Sequence, residues 1–334
     1  MLVKTVRAIL ISAALLLFLF VTWFSLEFYR PMKAQPNTVI FEVEKGQTAK
    51  EIALNLKKNG ILKKTWPFLV GYRFFFPGLS LKAGEYAIAI PDSPKNILNV
   101  LSEGDVYLRS ITIPEGLIIM EIAELLDAEG FADKEDFMSA AEDPSLIHDL
   151  DKEAPNLEGY LFPETYRFAK GTSSEEIAAA MVYQFMEVFT QEWMDRAAEL
   201  EMSVRDVVTL ASLIEEETSL PEEKNIISSV FHNRLNKGMK LDCDPTIIYV
   251  LKLEGRFKGR LRTRDLKYDS PFNTYIYPGL PPGPIANPGR DSLEAALYPA
   301  DEKYLYFVSK NDGSHHFSRT FREHVKAVNR YQRR

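Results

Sequence analysis

Cysteine is almost absent from this chain: Cys243 stands alone among 334 residues. A single thiol forms no intramolecular disulfide and no cysteine-based zinc site. Histidine is scarce too, with five copies, and none falls into a spacing such as H-E-x-x-H. His315, His316 and His324 lie close in sequence, but two neighbouring histidines on a strand point to opposite faces, which argues against a chelate. No G-x-S-x-G elbow, phosphate-binding loop or dinucleotide fingerprint is present. We therefore expect neither a metal nor a cofactor. Excess positive charge is also missing. Forty Lys and Arg stand against 47 Asp and Glu, a net charge of -7, which speaks against a nucleic-acid partner. The basic tail of Arg330, Arg333 and Arg334 is too short to change that reading. With 46% hydrophobic and 26% charged residues and no low-complexity tract, the composition is that of folded protein, long enough for two or three small domains.

One long apolar run is present. Ala8 to Leu26 carries no charge, and its length of about 19 residues suits the core of a bilayer. Lys4 and Arg7 precede it and Glu27 follows, so the positive-inside rule places the N-terminus in the cytoplasm. A cleaved signal peptide is the rival reading, but the run is long for one and no A-x-A site follows. The expectation is an uncleaved single-pass anchor in the cell membrane, with residues 1–7 cytoplasmic, 8–26 spanning, 27–37 a linker, and the bulk of the chain periplasmic or extracellular.

After the linker, Thr38 to Val43 alternates as a strand, and Lys45 to Thr48 has turn chemistry. A helix follows with Ile52, Ala53 and Leu56 on one face, ending at Asn59-Gly60 as a glycine cap would. The arrangement returns 70 residues later without a gap: Gly46, Glu51, Ile52, Ala53, Leu56 and Gly60 answer to Gly116, Glu121, Ile122, Ala123, Leu126 and Gly130. Any strand–turn–helix unit drifts toward such a pattern, yet agreement at turn, face and cap favours a duplicated unit. Between the copies, Leu81 to Ile88 reads as a turn entering a strand, and Ser93 to Ser102 as a helix.

Asp133 to Asp151 is acidic and partly helical, and Leu157 to Arg167 packs aromatics around a proline and two acids. Ser174 to Leu200 has the periodicity of a core-packing helix pair. Beyond Asn236, Lys237 to Leu241 and Asp244-Pro245-Thr246 look like turns around short elements. Ser270 to Pro288 is so crowded with Pro, Gly, Asn and Tyr that no helix survives, which makes it an ordered loop. Asp291 to Leu297 reads as a helix. Tyr304 to Val308 and His315 to Arg319 read as paired strands across an Asn311-Asp312-Gly313 turn.

The most unusual stretch is Val204 to Glu223, an amphipathic helix that runs into three consecutive glutamates. At 100° per residue, Val204, Val207, Val208, Ala211, Ile214 and Glu215 share one face. Glu216 points to the opposite side, and Glu217 lies on the flank of Leu210 and Leu213. Ser219 with Glu222 suggests a capping box for the next helix, so the first should end near Thr218. The negative end of a helix opposes a further anion and raises a carboxylate's pKa. The cluster is either a solvated helix end or a proton donor, and with triads and metal motifs excluded, acid/base work is the chemistry left for it.

The residues also carry a family likeness. Ala211 to Thr218 (ASLIEEET), Ser229 to Tyr249, Ser270 to Leu297, Tyr304 to Val308, His315 to His324 and Leu157 to Tyr166 occur in the order and wording of the YceG-like endolytic murein transglycosylases, which the chain resembles over nearly its whole length. The V-x-x-G-x-T-x-x-x-I-A run at Val43 to Ala53 resembles a LysM module. The resemblance implies an α+β protein: a single N-terminal transmembrane helix, a small LysM-like α/β module at 38–108, and a mixed α+β catalytic domain at 109–334. It implies cleavage of peptidoglycan glycan strands after N-acetylmuramic acid, with the muramyl O6 closing on C1 to leave a 1,6-anhydro end. In the family pattern the catalytic acid immediately precedes the threonine, here Glu217, and Glu216 stands where relatives commonly carry Lys; Glu215, projecting with the apolar stripe, is expected to be a buried supporting acid or a substrate contact. Asn233, Asp244, Asn273, Tyr275 and Asn287 are the expected substrate-binding residues, since amide and aromatic groups suit sugars and Asn and Asp equally suit turns. Peptidoglycan synthases are partners by resemblance only. A non-catalytic, membrane-tethered peptidoglycan-binding scaffold is the alternative.

Overall fold

The computed structural model describes residues 2–332, so Arg333 and Arg334 of the basic tail lie outside the described residues. The chain divides into two units. The first holds residues up to Arg109 with Arg167–Lys170, and the second holds Ser110–Tyr166 with Gly171 onward.

The first unit runs α1 (Leu2–Tyr29), β1 (Asn37–Val43), α2 (Ala49–Lys58), α3 (Trp66–Phe75), β2 (Gly84–Ile90) and α4 (Pro94–Glu103). Strands β1 and β2 pair antiparallel, Asn37 opposite Ile90 and Val43 opposite Gly84. Their alternation turns Phe41, Val43, Tyr86 and Ile88 inward, where Ile52, Ala53 and Leu56 of α2 and Ile97, Leu98 and Leu101 of α4 complete the core. Helix α2 opens on a full capping box: Thr48 accepts from the Glu51 N–H, and Glu51 accepts from the Thr48 N–H at 2.8 Å.

The apolar N-terminal helix is longer than the charge-free run suggests, and it does not end in a free spacer. Helix α1 continues to Tyr29, and Phe24 and Phe28, one turn apart, are buried in the core of this unit. Gly71 of α3 makes room, because a Cβ there would collide with the Phe28 ring. Lys64 donates to Glu27 at 2.6 Å across the same junction. Residues 27–37 are thus only in part a linker. The Val3–Tyr29 segment is apolar and long enough to cross a membrane.

The second unit begins within the paired strands β3 (Leu108–Thr112) and β4 (Thr165–Ala169). Between them come α5 (Ile119–Ala128) and α6 (Lys134–Ala141). After β4 follow α7 (Ser174–Val188), α8 (Gln191–Glu199), α9 (Val204–Glu217), α10 (Pro221–Asn236), α11 (Asp244–Leu253) and α12 (Arg290–Leu297). The unit closes with β5 (Tyr306–Ser309), β6 (His315–Ser318) and α13 (Phe321–Tyr331). The architecture is mixed α+β. The strand–turn–helix likeness holds locally: Gly46 and Gly116 both take left-handed φ (88° and 82°), and Ile122, Ala123 and Leu126 are buried as their counterparts are. Only half of the capping box recurs, since Ile118 has no hydroxyl, although Glu121 still accepts from its N–H at 3.2 Å.

Helix α9 is the hub of this unit. Every residue from Val207 to Ile214 is buried, including Thr209 and Ser212, because α8, α10, α11 and α12 all pack on it. The expected single apolar stripe is therefore too narrow a description. The proline-rich segment 270–288 closes another side, its Ile285 N–H donating to Ser212 Oγ at 3.0 Å. Two further expectations need correction, and one helix is new. The N-cap of α10 is Leu220, not Ser219: Thr218 Oγ1 takes the Leu220 N–H at 3.1 Å, and Pro221 opens the helix. Asp244-Pro245-Thr246 is not a turn but the first turn of the ten-residue helix α11, where proline needs no N–H partner. Helix α13 was not anticipated, although Thr320 and Glu323 form a full capping box at its start.

Candidate active site

The end of α9 opens on a cavity of about 590 Å³ whose lining includes Glu217, Arg234, Asp244, Tyr275, Tyr306 and His324. All belong to the second unit. The three glutamates at this end meet different surroundings because 100° separates each from the next.

Glu215 is turned inward and its carboxylate is fully engaged. Lys224 Nζ lies 3.2 Å from each of its oxygens, and the Gly289 N–H donates to it at 3.0 Å. The pair is buried on both sides, so a matched cation and a backbone donor offset the desolvation of the charge. This clamp ties the last turn of α9 to the starts of α10 and α12. The Glu115 side chain lies against Gly289, in the space a Cβ there would take. Glu216 is exposed. Crowding by protein and the charges of Glu121 and Glu215 push its carboxyl up to about 7, against the pull of Lys252, but water at the surface screens those charges.

Glu217 is half-buried and faces the cavity. Its Oε1 accepts from the thiol of Cys243 at 3.1 Å. Burial is the main cause that lifts its pKa to about 7. The Cys243 bond and Arg234 oppose the rise, while Asp244 and Glu216 add to it. A glutamate is thus placed where it is half protonated near neutrality, with one oxygen pinned by the thiol. Cys243 is buried, its own thiol pushed up by burial and by Glu217, so it stays an S–H donor. Its position is set by its N–H to Thr274 Oγ1 at 3.0 Å and by its carbonyl, which accepts from Thr246 Oγ1 at 2.7 Å.

Of the five residues expected to bind substrate, the fold brings two to the cavity. Tyr275 Oη donates to Asp244 Oδ1 at 2.6 Å, and both line the space that Glu217 faces. The other three lie elsewhere, with their amides committed to the chain. Asn233 Nδ2 donates to the Glu302 and Tyr304 carbonyls at 2.7 and 3.0 Å. Asn273, fully buried, donates to the carbonyls of Leu266 and Tyr268 and accepts from the Tyr275 N–H. Asn287, also buried, donates to Glu158 and the Leu117 carbonyl and accepts from the Leu161 N–H. These amides satisfy backbone groups in loops that lack a ladder of their own, and Asn273 and Asn287 are buried as they do so. Glu158, whose carboxyl burial pushes up to about 8, also accepts from the Ile119 N–H.

Arg234 and His324 line the cavity and Cys243 sits behind it, roles that the sequence alone does not give them. Arg234 of α10 spends its guanidinium on the Leu305, Lys240 and Leu241 carbonyls and on Asp242 at 3.1 Å, with Tyr306 stacked 5.1 Å away. His324, on the unanticipated α13, stacks on Tyr306 at 5.2 Å, and burial together with Arg234 lowers its pKa. In the sequence Cys243 stands only as a thiol with no second cysteine to pair with. Nothing in the sequence signals its contact with Glu217, 26 residues away; the Thr320-x-x-Glu323 pattern could have revealed α13.

Comparison with known proteins comes to one family. The profile of the YceG-like family matches residues 41–330. A Bacillus subtilis protein named endolytic murein transglycosylase is 37% identical over 318 residues, covering 90% of this chain and 86% of that protein. A Streptococcus pneumoniae protein of the same name is 29% identical, covering 86% of this chain and 57% of its own length. Among solved structures, a yceG-like protein from Listeria monocytogenes is 34% identical and matches with a TM-score of 0.59, covering 88% of this chain and 100% of that one.

Proposed function

The chain belongs to the YceG-like family, and from that premise we propose that it is a membrane-anchored endolytic peptidoglycan lytic transglycosylase in which Glu217 acts first as acid and then as base. The observation that carries this reading is the carboxyl of Glu217, facing the cavity with its pKa raised to about 7 by burial. Such a group gives up and takes back a proton near neutrality at comparable cost.

The reaction balances with one carboxyl group. Glu217 donates its proton to the glycosidic oxygen as the bond from the muramyl C1 breaks. The muramyl O6 then bonds to C1, and its proton passes to the Glu217 carboxylate, which restores the acid. No water is consumed, unlike hydrolysis, in which two carboxyl groups manage a water or a covalent intermediate. Asp244 adds negative charge beside the positive charge that develops at C1, and Tyr275 holds it in place by its hydrogen bond. Glu215 is held by Lys224 and the Gly289 N–H, and its part is to hold the helix end.

The apolar α1 fits an anchor with its N-terminus in the cytoplasm, by the Lys4 and Arg7 flank. That places the catalytic unit on the face of the membrane where glycan strands lie, and synthases of those strands suit it as partners. The β–α–α–β order of β1, α2, α3 and β2 supports a LysM-like reading of the first unit. The test is mass spectrometry of products released from purified sacculi. Lytic action gives 1,6-anhydro-muramyl ends, lighter by one water than the reducing ends of hydrolysis. Loss of those products in Glu217→Gln is expected. Reducing ends, or full activity of that variant, would overturn the assignment.

A further inference from the structure

Helix α1 has 28 residues and is about 42 Å long at ~1.5 Å per residue. The hydrocarbon core of a bilayer is only about 30 Å thick. If the crossing begins at Ala8, past Lys4 and Arg7, about 20 residues at ~1.5 Å each bring α1 out near Glu27, so its last two turns lie at the outer edge of the hydrocarbon core and the headgroups. Those turns carry the residues that pack into the first unit. Trp23 stacks on Trp66 of α3 with ring centroids 4.5 Å apart, and Phe24 and Phe28 stack on Phe75 at 6.1 and 5.5 Å. Whatever touches these rings shares their depth. Phe75 is nevertheless 55% exposed, and its neighbour Phe74 is 73% exposed. Leu79, three residues past the end of α3's last turn at Phe76, is exposed as well. Phe75 thus joins α1 to α3, and Phe74 beside it and Leu79 just past the helix are exposed apolar residues of the same short segment. A patch of this kind in water is costly and calls for a cover.

We propose that Phe74, Phe75 and Leu79 dip into the outer interface of the same bilayer that α1 crosses, so that the first unit rests on the membrane surface through α3. The chemistry of the rim fits a lipid surface. Trp23 and Trp66 are the residue type that settles at headgroup depth, Arg30 and Lys63 line a cavity together with Trp23, and Arg73 precedes Phe74 in the last turn of α3. Lys64 is held at this junction by Glu27 and lies 5.9 Å from the Trp23 ring. Because Phe75 stacks on the anchor helix, the bilayer that α1 crosses is the apolar phase nearest to this patch. The functional consequence is that the anchor and the first unit move as one body, and that the unit cannot swing away from the membrane as it would on a flexible spacer.

This inference rests on the reading of α1 as a membrane anchor, and the experiment separates the two. The full-length protein is placed in vesicles of phosphatidylethanolamine and phosphatidylglycerol with a nitrobenzoxadiazole label at F74C, L79C, L16C or L54C. Buried Cys243 leaves the parent protein as the background control. Leu16 lies in the exposed apolar part of α1, whereas Leu54 lies on α2 among Glu44, Lys45, Glu51 and Asn55. Labels at F74C, L79C and L16C should emit blue-shifted and be quenched by nitroxide-bearing lipids, and the label at L54C should do neither. Aqueous, unquenched emission at F74C and L79C with quenching at L16C would overturn the surface contact and point to a protein cover instead. Unquenched emission at L16C would overturn the anchor reading on which the contact rests.

Discussion

Glu217→Gln should separate stability from activity, and the pH dependence of its effect follows from the surroundings of the carboxyl. A free glutamate titrates near 4.5, whereas burial at the end of α9 raises Glu217 to about 7. Below the lower value, the carboxyl is protonated in both folded and unfolded chains and contributes no pH-dependent difference. Between the two values the unfolded chain releases its proton while the folded chain keeps it, so wild-type stability falls as the pH rises. Above about 7 both are ionised and the full difference is reached. A shift of this size corresponds to about 3 kcal/mol at roughly 1.4 kcal/mol per unit. Glutamine carries no charge at any pH and can still accept from Cys243. The variant should therefore equal or nearly equal the wild type at pH about 4, and exceed it by on the order of 3 kcal/mol at pH about 8. Urea denaturation at several pH values measures this. Trp193 reports on the second unit once Trp23 and Trp66 of the first are replaced by Phe. A gain in stability that is the same at both ends of that pH range would refute the buried, neutral acid, even if activity were lost.

Two substitutions should move the pH profile of anhydro-product release in opposite directions. Cys243→Ala removes the donor that holds the Glu217 pKa down, so the alkaline limb should shift upward, and Cys243→Ser should restore it. Asp244→Asn removes a charge that holds the pKa up, so the limb should shift downward; a shift in the opposite sense would contradict the assignment of the residue that shows it. Lys224→Met leaves Glu215 as a buried carboxylate without its cation, and should cost about 3–5 kcal/mol in denaturation, where a surface pair would cost under about 1 kcal/mol. Asn287→Ala should lower stability by about 1–3 kcal/mol for each buried group left unpaired, with KM for glycan strands unchanged; a raised KM without loss of stability would return Asn287 to the binding residues.

Much of the local structure was legible because it rests on short-range chemistry. The glycine-ended helix over Ile52 to Leu56, its counterpart 70 residues on, the hairpin across Asn311 to Gly313 and the end of α9 at Glu217 all follow from periodicity, caps and turn residues. Where near signals competed, the reading failed. Ser219 and Glu222 have the spacing of a capping box, yet Thr218 already serves the Leu220 N–H and proline opens the helix one step later. Asp244-Pro245 suits a turn and a helix start equally, and only the burial of Ile247, Val250 and Leu251 decides for the helix.

The candidate site was legible in part for the same reason. A rotation of 100° per residue sends Glu215, Glu216 and Glu217 in different directions, so the sequence alone determines that the three acids cannot share one environment. Which environment each receives is a tertiary matter. Lys224 and Gly289 reach Glu215 from α10 and the start of α12, and Cys243 reaches Glu217 from the start of α11. The same is true of the amides: Asn273 and Asn287 have the side chain a sugar site wants, but long-range packing turns them onto the chain's own carbonyls and carboxylates. Composition likewise determined that α1 is apolar enough for a membrane, whereas its entry into the core of the first unit through Phe24, Phe28 and Gly71 depended on a helix some 40 residues further on. Periodicity and caps act within a few residues and can be read along the chain; a carboxyl's pKa and an amide's partner depend on what packing brings from a distance, and only the folded structure decides them.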